Sequence, residues 1–346
     1  MKKIAIFQFD LGLGGIQKSL INLLSKIDLD SYEIDLYLFD RTNFFETNLD
    51  SRINIIYLKK YPKICKLINF NILYKIIKIN ITKEYDLAID FNSYSNECAL
   101  NALKVKAKKH IIWCHNDIIL KYKENFKYKI LFNNFKGKYK MFDEIVAVSN
   151  GAKESAELKL KCNNVKVIPN IINTDEIFYK AKDDVDFIIN KDRVNFISLG
   201  RLCEQKNFDV LITYFYNALK VNKNIDLYII GDGEERHYLE SLIENNNLQN
   251  NIFLLGAQAN PFKYMKQADY FILTSKYEGQ GMAFLEAKAL GLKIIMPEHL
   301  KKYVEGISST SDITNFLENV KKENYVHKYD NLYEYNQDIL NKFYEL

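Results

Sequence analysis

The chain has few of the features that mark secreted, metal-binding or membrane-spanning proteins. Its 5 cysteines are scattered through 346 residues, and no two of them form a Cys-x-x-Cys pair. This pattern predicts reduced thiols and no zinc site. No stretch has the apolar length of a membrane-spanning helix. The first residues lead directly into a strand-like pattern without the apolar segment of a signal peptide, so we expect a cytoplasmic protein.

Composition and length instead indicate a globular protein of more than one domain. Apolar residues make up 48% of the chain and charged residues 27%, which is typical of soluble proteins. A chain of 346 residues is too long for one hydrophobic core, so two domains are expected. The charge is uneven: residues 1–172 hold 28 Lys and Arg against 18 Asp and Glu, and the remainder hold 20 against 26. The two halves are therefore expected to contact different partners.

Short, continuous apolar runs alternate with helix-like segments along most of the chain. Such runs are typical of strands that are buried on both faces of a parallel sheet. We predict strands at 3–9, 33–39, 54–57, 86–91, 110–114, 144–148, 166–168, 194–199, 226–230, 252–255, 270–274 and 293–296. Alternating strands and helices predict doubly wound α/β domains, whose ligands bind at the carboxyl ends of the strands.

The domain boundary is predicted near Pro169, where an extended run ends in a polar loop. The first domain then spans 1–172 and the second 173–329. The tail at 330–346 is aromatic and has a helical period, so we expect it to pack back on the first domain.

A glycine-rich loop follows the first predicted strand and leads into a helix. Gly12, Gly14 and Gly15 allow a sharp turn that presents backbone N–H groups to an anion. Gln17 stands where both the P-loop and the dinucleotide-binding fingerprint require glycine. The loop therefore indicates an anion-binding turn, with a tight turn that binds nothing as the alternative.

Two further junctions lie in the second half. After the strand at 194–199, Arg201 and Lys206 span a loop into the next helix. A guanidinium fork and a mobile ammonium suit a diphosphate, although such residues also occur as ordinary surface charges. After the strand at 270–274, Gly279 and Gly281 permit close backbone approach to an anion, and the nearby carboxylates of Glu278 and Glu286 suit sugar hydroxyls.

The order and spacing of these motifs resemble the family 4 glycosyltransferases of the GT-B architecture, also classed as glycosyl transferases group 1. The resemblance covers about residues 3–297 and is carried by Gly14-Gly15, 146–149, 168–170, Gly200-Arg201 with Lys206, 230–233, Gly256, the segment 278–287 and Leu290-Gly291. Asn207 departs from the family, which commonly has glycine after the lysine. The resemblance implies two Rossmann-like, doubly wound domains facing across a cleft, with the acceptor on the first domain and a nucleotide-sugar donor on the second.

The resemblance also implies roles for individual residues. Arg201 and Lys206 would hold the donor diphosphate, Glu278 would bind the transferred sugar, and Glu286 would bind the ribose. The donor-binding residues implied in full are Gly14, Gly15, Gly200, Gly231, Gly233, Gly256, Gly279, Gln280, Gly281, Met282, Ala283 and Glu286. Neither a metal ion nor a cofactor is implied, because cations and helix N-termini neutralise the diphosphate.

His115 follows the predicted strand at 110–114 and enters a polar loop. In similar enzymes a histidine at this place contacts the transferred sugar, and we assign that catalytic role to His115. A loop histidine satisfied by neighbouring groups is the alternative.

Two segments of the first half are both basic and aromatic. Residues 58–83 carry seven lysines and no acidic residue, and residues 121–140 carry seven lysines and Glu124. Such segments suit peripheral contact with the inner face of an anionic membrane and with a lipid-linked acceptor. Helices with a solvated basic face are the alternative. No known nucleic-acid-binding module is present, so nucleic acid is not an expected partner.

The resemblance therefore implies a retaining glycosyltransferase. It would move a hexose or N-acetylhexosamine, most simply from a UDP-sugar, to a glycan or lipid-linked saccharide in bacterial surface polysaccharide, lipooligosaccharide or glycoprotein assembly. Two alternatives remain open: a nucleotide-sugar epimerase of the same architecture, and a P-loop-like nucleotide-binding module at the loop that contains Gly12 and Lys18.

Overall fold

The computed structural model describes residues 1–12, 14–44, 49–187, 189–304, 307, 310–323 and 326–346. The chain divides into two units. The first unit consists of Met1–Ile171 and Glu334–Leu346, and the second of Ile172–Tyr333.

Parallel strands form the centre of each unit. The strands are β1 (Lys2–Gln8), β2 (Tyr32–Leu38), β3 (Asn54–Tyr57), β4 (Tyr85–Asp90), β5 (Ala107–Cys114), β6 (Glu144–Ala147), β7 (Val165–Val167), β8 (Val194–Leu199), β9 (Ile225–Ile230), β10 (Ile252–Gly256), β11 (Tyr270–Ile272) and β12 (Lys293–Ile295). All ten pairings between neighbouring strands are parallel. All twelve predicted strands are confirmed, with β5 starting earlier than expected. Central strands such as β4 and β9 are buried on both sheet faces, whereas the edge strands β3 and β12 are only partly buried.

Helices connect these strands. They are α1 (Gly15–Leu24), α2 (Phe70–Ile76), α3 (Asn96–Lys104), α4 (Ile118–Glu124), α5 (Phe126–Phe135), α6 (Asn150–Leu160), α7 (Thr174–Lys180), α8 (Phe208–Ala218), α9 (Arg236–Asn245), α10 (Phe262–Met265), α11 (Met282–Ala289), α12 (Ile313–Asn319) and α13 (Tyr333–Tyr344). Among the described helices, none combines the length and the apolar character required to cross a bilayer.

The first unit contains a seven-stranded sheet in the order β3-β2-β1-β4-β5-β6-β7. The chain proceeds outward from β1 in one direction and from β4 in the other, so the topological switch point lies between these two strands. The terminal helix α13 packs into the core of this unit, where Ile339 and Phe343 are buried. The Phe343 ring lies 6.3 Å from the ring of Trp113 on β5.

The second unit contains a five-stranded sheet in the order β10-β9-β8-β11-β12. Its switch point lies between β8 and β11, which are paired in parallel. Because the strands are parallel, the loops that follow β8 and β11 emerge at the same edge of the sheet. The predicted doubly wound α/β class is confirmed in both units.

Candidate functional site

The loops that follow β8 and β11 bring Lys206 and Glu278 into direct contact. The Lys206 ammonium donates to Glu278 Oε1 at 2.7 Å, and the Ser275 hydroxyl donates to the same oxygen at 2.6 Å. The Glu278 side chain is only 7% exposed and that of Lys206 18%. Two residues with different predicted roles thus form one partly buried, charge-assisted pair at the carboxyl ends of neighbouring strands.

Gly200 makes room for this pair. A Cβ atom at Gly200 would lie 3.2 Å from Cε of Lys206 and 3.3 Å from its Cδ. The lysine side chain therefore passes directly over the Gly200 backbone, which explains the absence of a side chain there. Gly200 shapes the path of Lys206 toward Glu278.

Arg201 directly follows Gly200 in the loop after β8. Its side chain is exposed, and within the described ranges its guanidinium has no hydrogen bond or ion pair. This exposure leaves the Arg201 guanidinium available to an anionic ligand.

Gly231 and Gly233 pack closely against backbone carbonyl groups. A Cβ at Gly231 would lie 1.8 Å from the carbonyl oxygen of Gly200, and one at Gly233 would lie 2.3 Å from that of Leu202. These contacts explain both glycines without a nucleobase. Gly256 ends β10, and a Cβ there would approach the Arg236 guanidinium at 3.4 Å.

Helix α11 begins at the edge of the sheet where Glu278 lies. Gly281 caps it with a φ of +70°, a conformation that favours glycine, and a Cβ there would lie 2.7 Å from the Phe284 ring. Met282 and Ala283 are half-buried. Because they form the first turn of α11, their N–H groups lie at the positive end of the helix.

The remaining predicted residues of this segment are buried: Gly279, Gln280 and Glu286. Among the predicted donor residues, only Gly14 and Gly15 belong to the first unit.

The loop between β1 and α1 is closed by a carboxylate. Asp10 Oδ1 accepts from the Gly12 N–H at 2.9 Å and from the Gln17 side chain at 2.7 Å. In a P-loop the corresponding N–H groups point at a phosphate, so this arrangement argues against the P-loop-like alternative. Gly14 has an extended backbone, and Gly15 begins α1 with no atom within 4 Å of a Cβ built on it. Leu13 of this loop lies outside the described residues.

His115 is buried at the end of β5. Its Nε2 donates to the carbonyl oxygen of Phe91 at 2.9 Å, and its ring lies 4.7 Å from the Phe91 ring. Burial lowers the pKa of His115 from 6.5 to about 4, so the imidazole is neutral near pH 7. Because Nε2 carries the proton, Nδ1 has the lone pair that could accept a hydrogen bond.

The two basic segments lie against each other in the first unit. The Asn134 side chain on α5 donates to the Leu67 carbonyl at 3.1 Å, which links residues 121–140 to residues 58–83. We call the exposed apolar side chains of these segments and the exposed lysines around them the basic apolar surface. Its members are Ile64, Leu67, Ile72, Ile76, Phe126 and Ile130 with Lys63, Lys66, Lys75, Lys127 and Lys129.

One lysine of these segments does not belong to that surface. Lys138 is fully buried near Asp90, and burial lowers the pKa of this lysine. Lys138 therefore adds no charge to the surface of this segment, because its ammonium lies inside the unit, near the rings of Phe70 and Phe135.

Sequence reasoning missed hydrogen bonds within and between the two loops of the site. Ser275 contacts Glu278, and Asn207 bonds with Thr274, yet neither contact was expected. The sequence feature that singles out Asn207 is its position after Lys206, where the family commonly has glycine. Within the described ranges, no group of three or more His, Cys, Asp or Glu side chains could hold a metal ion.

Comparison with known proteins identifies the family. Residues 180–332 match the family described as Glycosyl transferases group 1, and residues 13–176 match Glycosyltransferase Family 4. An uncharacterized glycosyltransferase of Methanocaldococcus jannaschii is 33% identical over 278 residues, which is 75% of this chain and 68% of that protein.

A second relative has a named activity. The N-acetylgalactosamine-N,N'-diacetylbacillosaminyl-diphospho-undecaprenol 4-alpha-N-acetylgalactosaminyltransferase of Campylobacter jejuni is 27% identical over 322 residues. The match spans 86% of this chain and 81% of that enzyme.

Solved structures share the fold. Anabaena HepE in complex with UDP and glucose aligns over 100% of both chains, with a TM-score of 0.65 and 14% identity. Staphylococcus aureus TarM in complex with fondaparinux, alpha-GlcNAc-glycerol and UDP aligns over 100% of this chain and 99% of that one, with a TM-score of 0.67 and 14% identity. Both parallel-sheet units therefore match the GT-B type. The family matches and the M. jannaschii relative show that the chain belongs to the group 1 glycosyltransferases, a family of GT-B transferases.

Proposed function

We propose that this glycosyltransferase moves a hexose or N-acetylhexosamine from a UDP-sugar to a glycan or lipid-linked saccharide, with retention of anomeric configuration. The proposed setting is bacterial surface polysaccharide, lipooligosaccharide or glycoprotein glycan assembly, on the cytoplasmic side of the membrane. The observation that carries the proposal is the Lys206–Glu278 pair, at 2.7 Å, formed by one loop that also carries exposed Arg201 and another that leads into α11.

The charges at this edge suit a sugar-linked diphosphate. Lys206 and Arg201 would bind the diphosphate oxygens and stabilise the negative charge that grows on the leaving nucleotide. The first N–H groups of α11 would add to this stabilisation. Glu278 would accept hydrogen bonds from sugar hydroxyls, and Glu286 from the ribose. With these positive groups, the proposal requires no metal ion.

The Lys206–Glu278 contact has a consequence for donor binding. In the structure described above, Glu278 holds the ammonium that we assign to the diphosphate. When the donor enters, a phosphate oxygen would accept a hydrogen bond from the Lys206 ammonium in place of Glu278. The Glu278 carboxylate would then accept hydrogen bonds from the sugar hydroxyls. Ser275 would keep one carboxylate oxygen in place during the exchange.

The transfer step would proceed on one face of the sugar. The acceptor hydroxyl oxygen forms a bond to the anomeric carbon while the bond from that carbon to the diphosphate breaks. The hydroxyl proton passes to the departing phosphate oxygen. His115 Nδ1 would accept a hydrogen bond from a sugar hydroxyl, while its Nε2 continues to donate to the Phe91 carbonyl oxygen. Gly14 and Gly15 would offer N–H groups to the donor phosphates.

The names of similar proteins support the choice of substrates. HepE and TarM were both solved with UDP. The C. jejuni enzyme is named for a diphospho-undecaprenol-linked saccharide and for N-acetylgalactosamine transfer. We therefore extend a UDP donor and a lipid-linked acceptor to this chain as proposals.

Peripheral membrane contact is the second part of the proposal. On the basic apolar surface, Phe126 is 73% exposed and Leu67 is 62% exposed, and lysines lie around both. Apolar side chains inserted at the headgroup level and lysines paired with anionic lipids together produce reversible binding. Such a surface would keep the enzyme close to a lipid-linked acceptor.

The donor proposal is tested by a thermal-shift screen of UDP-, GDP- and ADP-sugars. A ligand that binds only the folded protein raises its melting temperature, so a UDP-sugar should produce the largest shift. NMR of the product formed with that donor then reports the anomeric configuration. An inverted product contradicts retention. Donor turnover without an acceptor, which yields an epimerised nucleotide sugar, contradicts transfer.

A further inference from the structure

Asn207 adopts a backbone conformation that most residues avoid. It precedes α8 with φ +58° and ψ +40°, the left-handed region. Glycine enters this region without strain, and asparagine is among the few other residues that tolerate it. The backbone at this position therefore accounts for glycine or asparagine, but it does not choose between them.

Asn207 has a side-chain amide that can donate a hydrogen bond, which glycine lacks. Its Nδ2 donates to the Thr274 carbonyl at 3.1 Å, and the Thr274 hydroxyl donates to the Asn207 carbonyl at 3.1 Å. Thr274 is 1% exposed. The two residues thus exchange two hydrogen bonds between the loop that carries Lys206 and the loop that carries Glu278.

Neighbouring residues extend this connection. The Lys276 N–H donates to the Gln205 carbonyl at 2.9 Å. The Gln205 side chain donates to the Tyr277 carbonyl at 3.0 Å. In the first loop the bonded residues, Gln205 and Asn207, lie on both sides of Lys206, and in the second loop their partners all precede Glu278. The two loops are therefore joined by hydrogen bonds other than the Lys206–Glu278 pair.

We propose that Asn207 is a positioning residue that fixes the distance between Lys206 and Glu278 for a ligand that must contact both. The inference rests on the proposed function, in which Lys206 binds the diphosphate and Glu278 binds the sugar. When a donor displaces the direct ion pair, only the remaining bonds between the loops preserve that spacing. The Asn207 amide provides one such bond, which a glycine at the same position would not.

The test compares two ligands on one variant. Asn207→Gly keeps the left-handed backbone accessible and removes only the amide. UDP has no transferred sugar to offer to Glu278, whereas a UDP-sugar must reach both loops. By calorimetric titration, Asn207→Gly should weaken UDP-sugar binding about three- to tenfold, the effect of one lost hydrogen bond, and change UDP binding less than about twofold.

Asn247 provides a matched control. It also has a positive φ, +55°, and is exposed beyond the end of α9, so Asn247→Gly makes the same change away from the site. This control should leave both affinities unchanged. Thr274→Val removes the hydrogen bond from the Thr274 hydroxyl to the Asn207 carbonyl, so it should also weaken the binding of the UDP-sugar more than that of UDP. Thr274→Ser keeps the hydroxyl and should bind both ligands as the wild type does.

The outcomes separate this inference from the proposed function. Unchanged binding of both ligands in Asn207→Gly and Thr274→Val, or an equal loss for both ligands, overturns the positioning role while leaving the donor assignment intact. If the unsubstituted enzyme binds no UDP-sugar, the proposed function fails and takes this inference with it.

Discussion

Lys206 and Glu278 are 72 residues apart in the sequence, yet their charged groups are 2.7 Å apart in the folded chain. The parallel pairing of β8 with β11 creates this contact, because it places the loops that follow these strands at one edge of the sheet. The resemblance gives Lys206 and Glu278 separate roles in donor binding, whereas in the folded chain they form a direct ion pair.

The first prediction concerns Lys206. Lys206→Ala should lower kcat/KM by about a hundred- to a thousandfold, because it removes a charge aimed at the leaving diphosphate. Stability should fall by only about 1–3 kcal/mol, since Ser275 continues to bond to Glu278. Steady-state kinetics and denaturant unfolding measure the two effects.

Lys276 is the matched control for this variant. It lies in the loop after β11, and its ammonium pairs with the exposed side chain of Glu204 at 2.9 Å. Lys276→Ala should keep kcat/KM within about threefold of wild type, because exposed ion pairs contribute little. Full activity in Lys206→Ala, or equal losses in both variants, would show that the diphosphate assignment is mistaken.

The second prediction concerns glycines in the second unit. Gly231→Ala should destabilise the protein by more than about 3 kcal/mol, because the added methyl group would meet the Gly200 carbonyl at 1.8 Å and the φ is +149°. Gly15→Ala is the contrasting change in the first unit, where a Cβ meets no atom within 4 Å. It should alter stability by less than about 1 kcal/mol. Equal unfolding midpoints for the two variants would contradict this packing account.

The third prediction concerns pH and His115. Its pKa is lowered to about 4 in the folded state, against 6.5 ordinarily, so the unfolded chain binds the proton first on acidification. The stability contributed by the neutral ring is present above pH 6.5 and is lost as the pH falls toward 4. The loss amounts to about 2–3 kcal/mol.

His115→Gln removes this titration. The free energy of unfolding of wild type should therefore fall more steeply between pH 6.5 and 4 than that of the variant, as measured by urea unfolding at several pH values. Burial also raises the pKa of Asp90, and because both proteins contain Asp90, the comparison between them isolates the effect of His115. Parallel pH profiles would argue that the imidazole is solvated.

The fourth prediction concerns the basic apolar surface. Replacing both Phe126 and Ile130 with Ser should weaken binding to vesicles of anionic phospholipid about tenfold or more, because both side chains are exposed and apolar. Binding of the unsubstituted enzyme should also weaken with added salt. Vesicle co-sedimentation provides the measurement.

Leu158 on α6 is the control for this test. It is 72% exposed but lies outside the two basic segments, so Leu158→Ser should leave vesicle binding unchanged. If the double variant and Leu158→Ser bind vesicles equally well, the surface has no membrane role.

The sequence was sufficient to predict the strands but not the contacts between loops. Runs such as Ile4 to Phe7 or Ile111 to Cys114 are apolar throughout because both sheet faces are covered, and that signal is local. Lys138 illustrates the opposite case. A lysine in a basic segment is usually exposed to solvent. The ammonium of Lys138 lies inside the unit because Phe70 of α2 and Phe135 of α5 pack around it.

The glycines of the site show a further limit. The resemblance implies that Gly231 and Gly233 line the donor site, and the structure adds a packing reason for both glycines, their close contacts with neighbouring backbone carbonyls. Asn207 was noticed only because glycine is common at its position. The left-handed backbone explains that preference, but the partner of its side chain, Thr274, lies in a loop that sequence spacing could not connect to it.

A crystal structure of the enzyme soaked with a UDP-sugar tests the central claim most directly. The account predicts density for the diphosphate within hydrogen-bonding distance of the Lys206 ammonium, and density for the sugar at the Glu278 carboxylate. A donor bound away from both residues, with Lys206 still paired to Glu278, would contradict it.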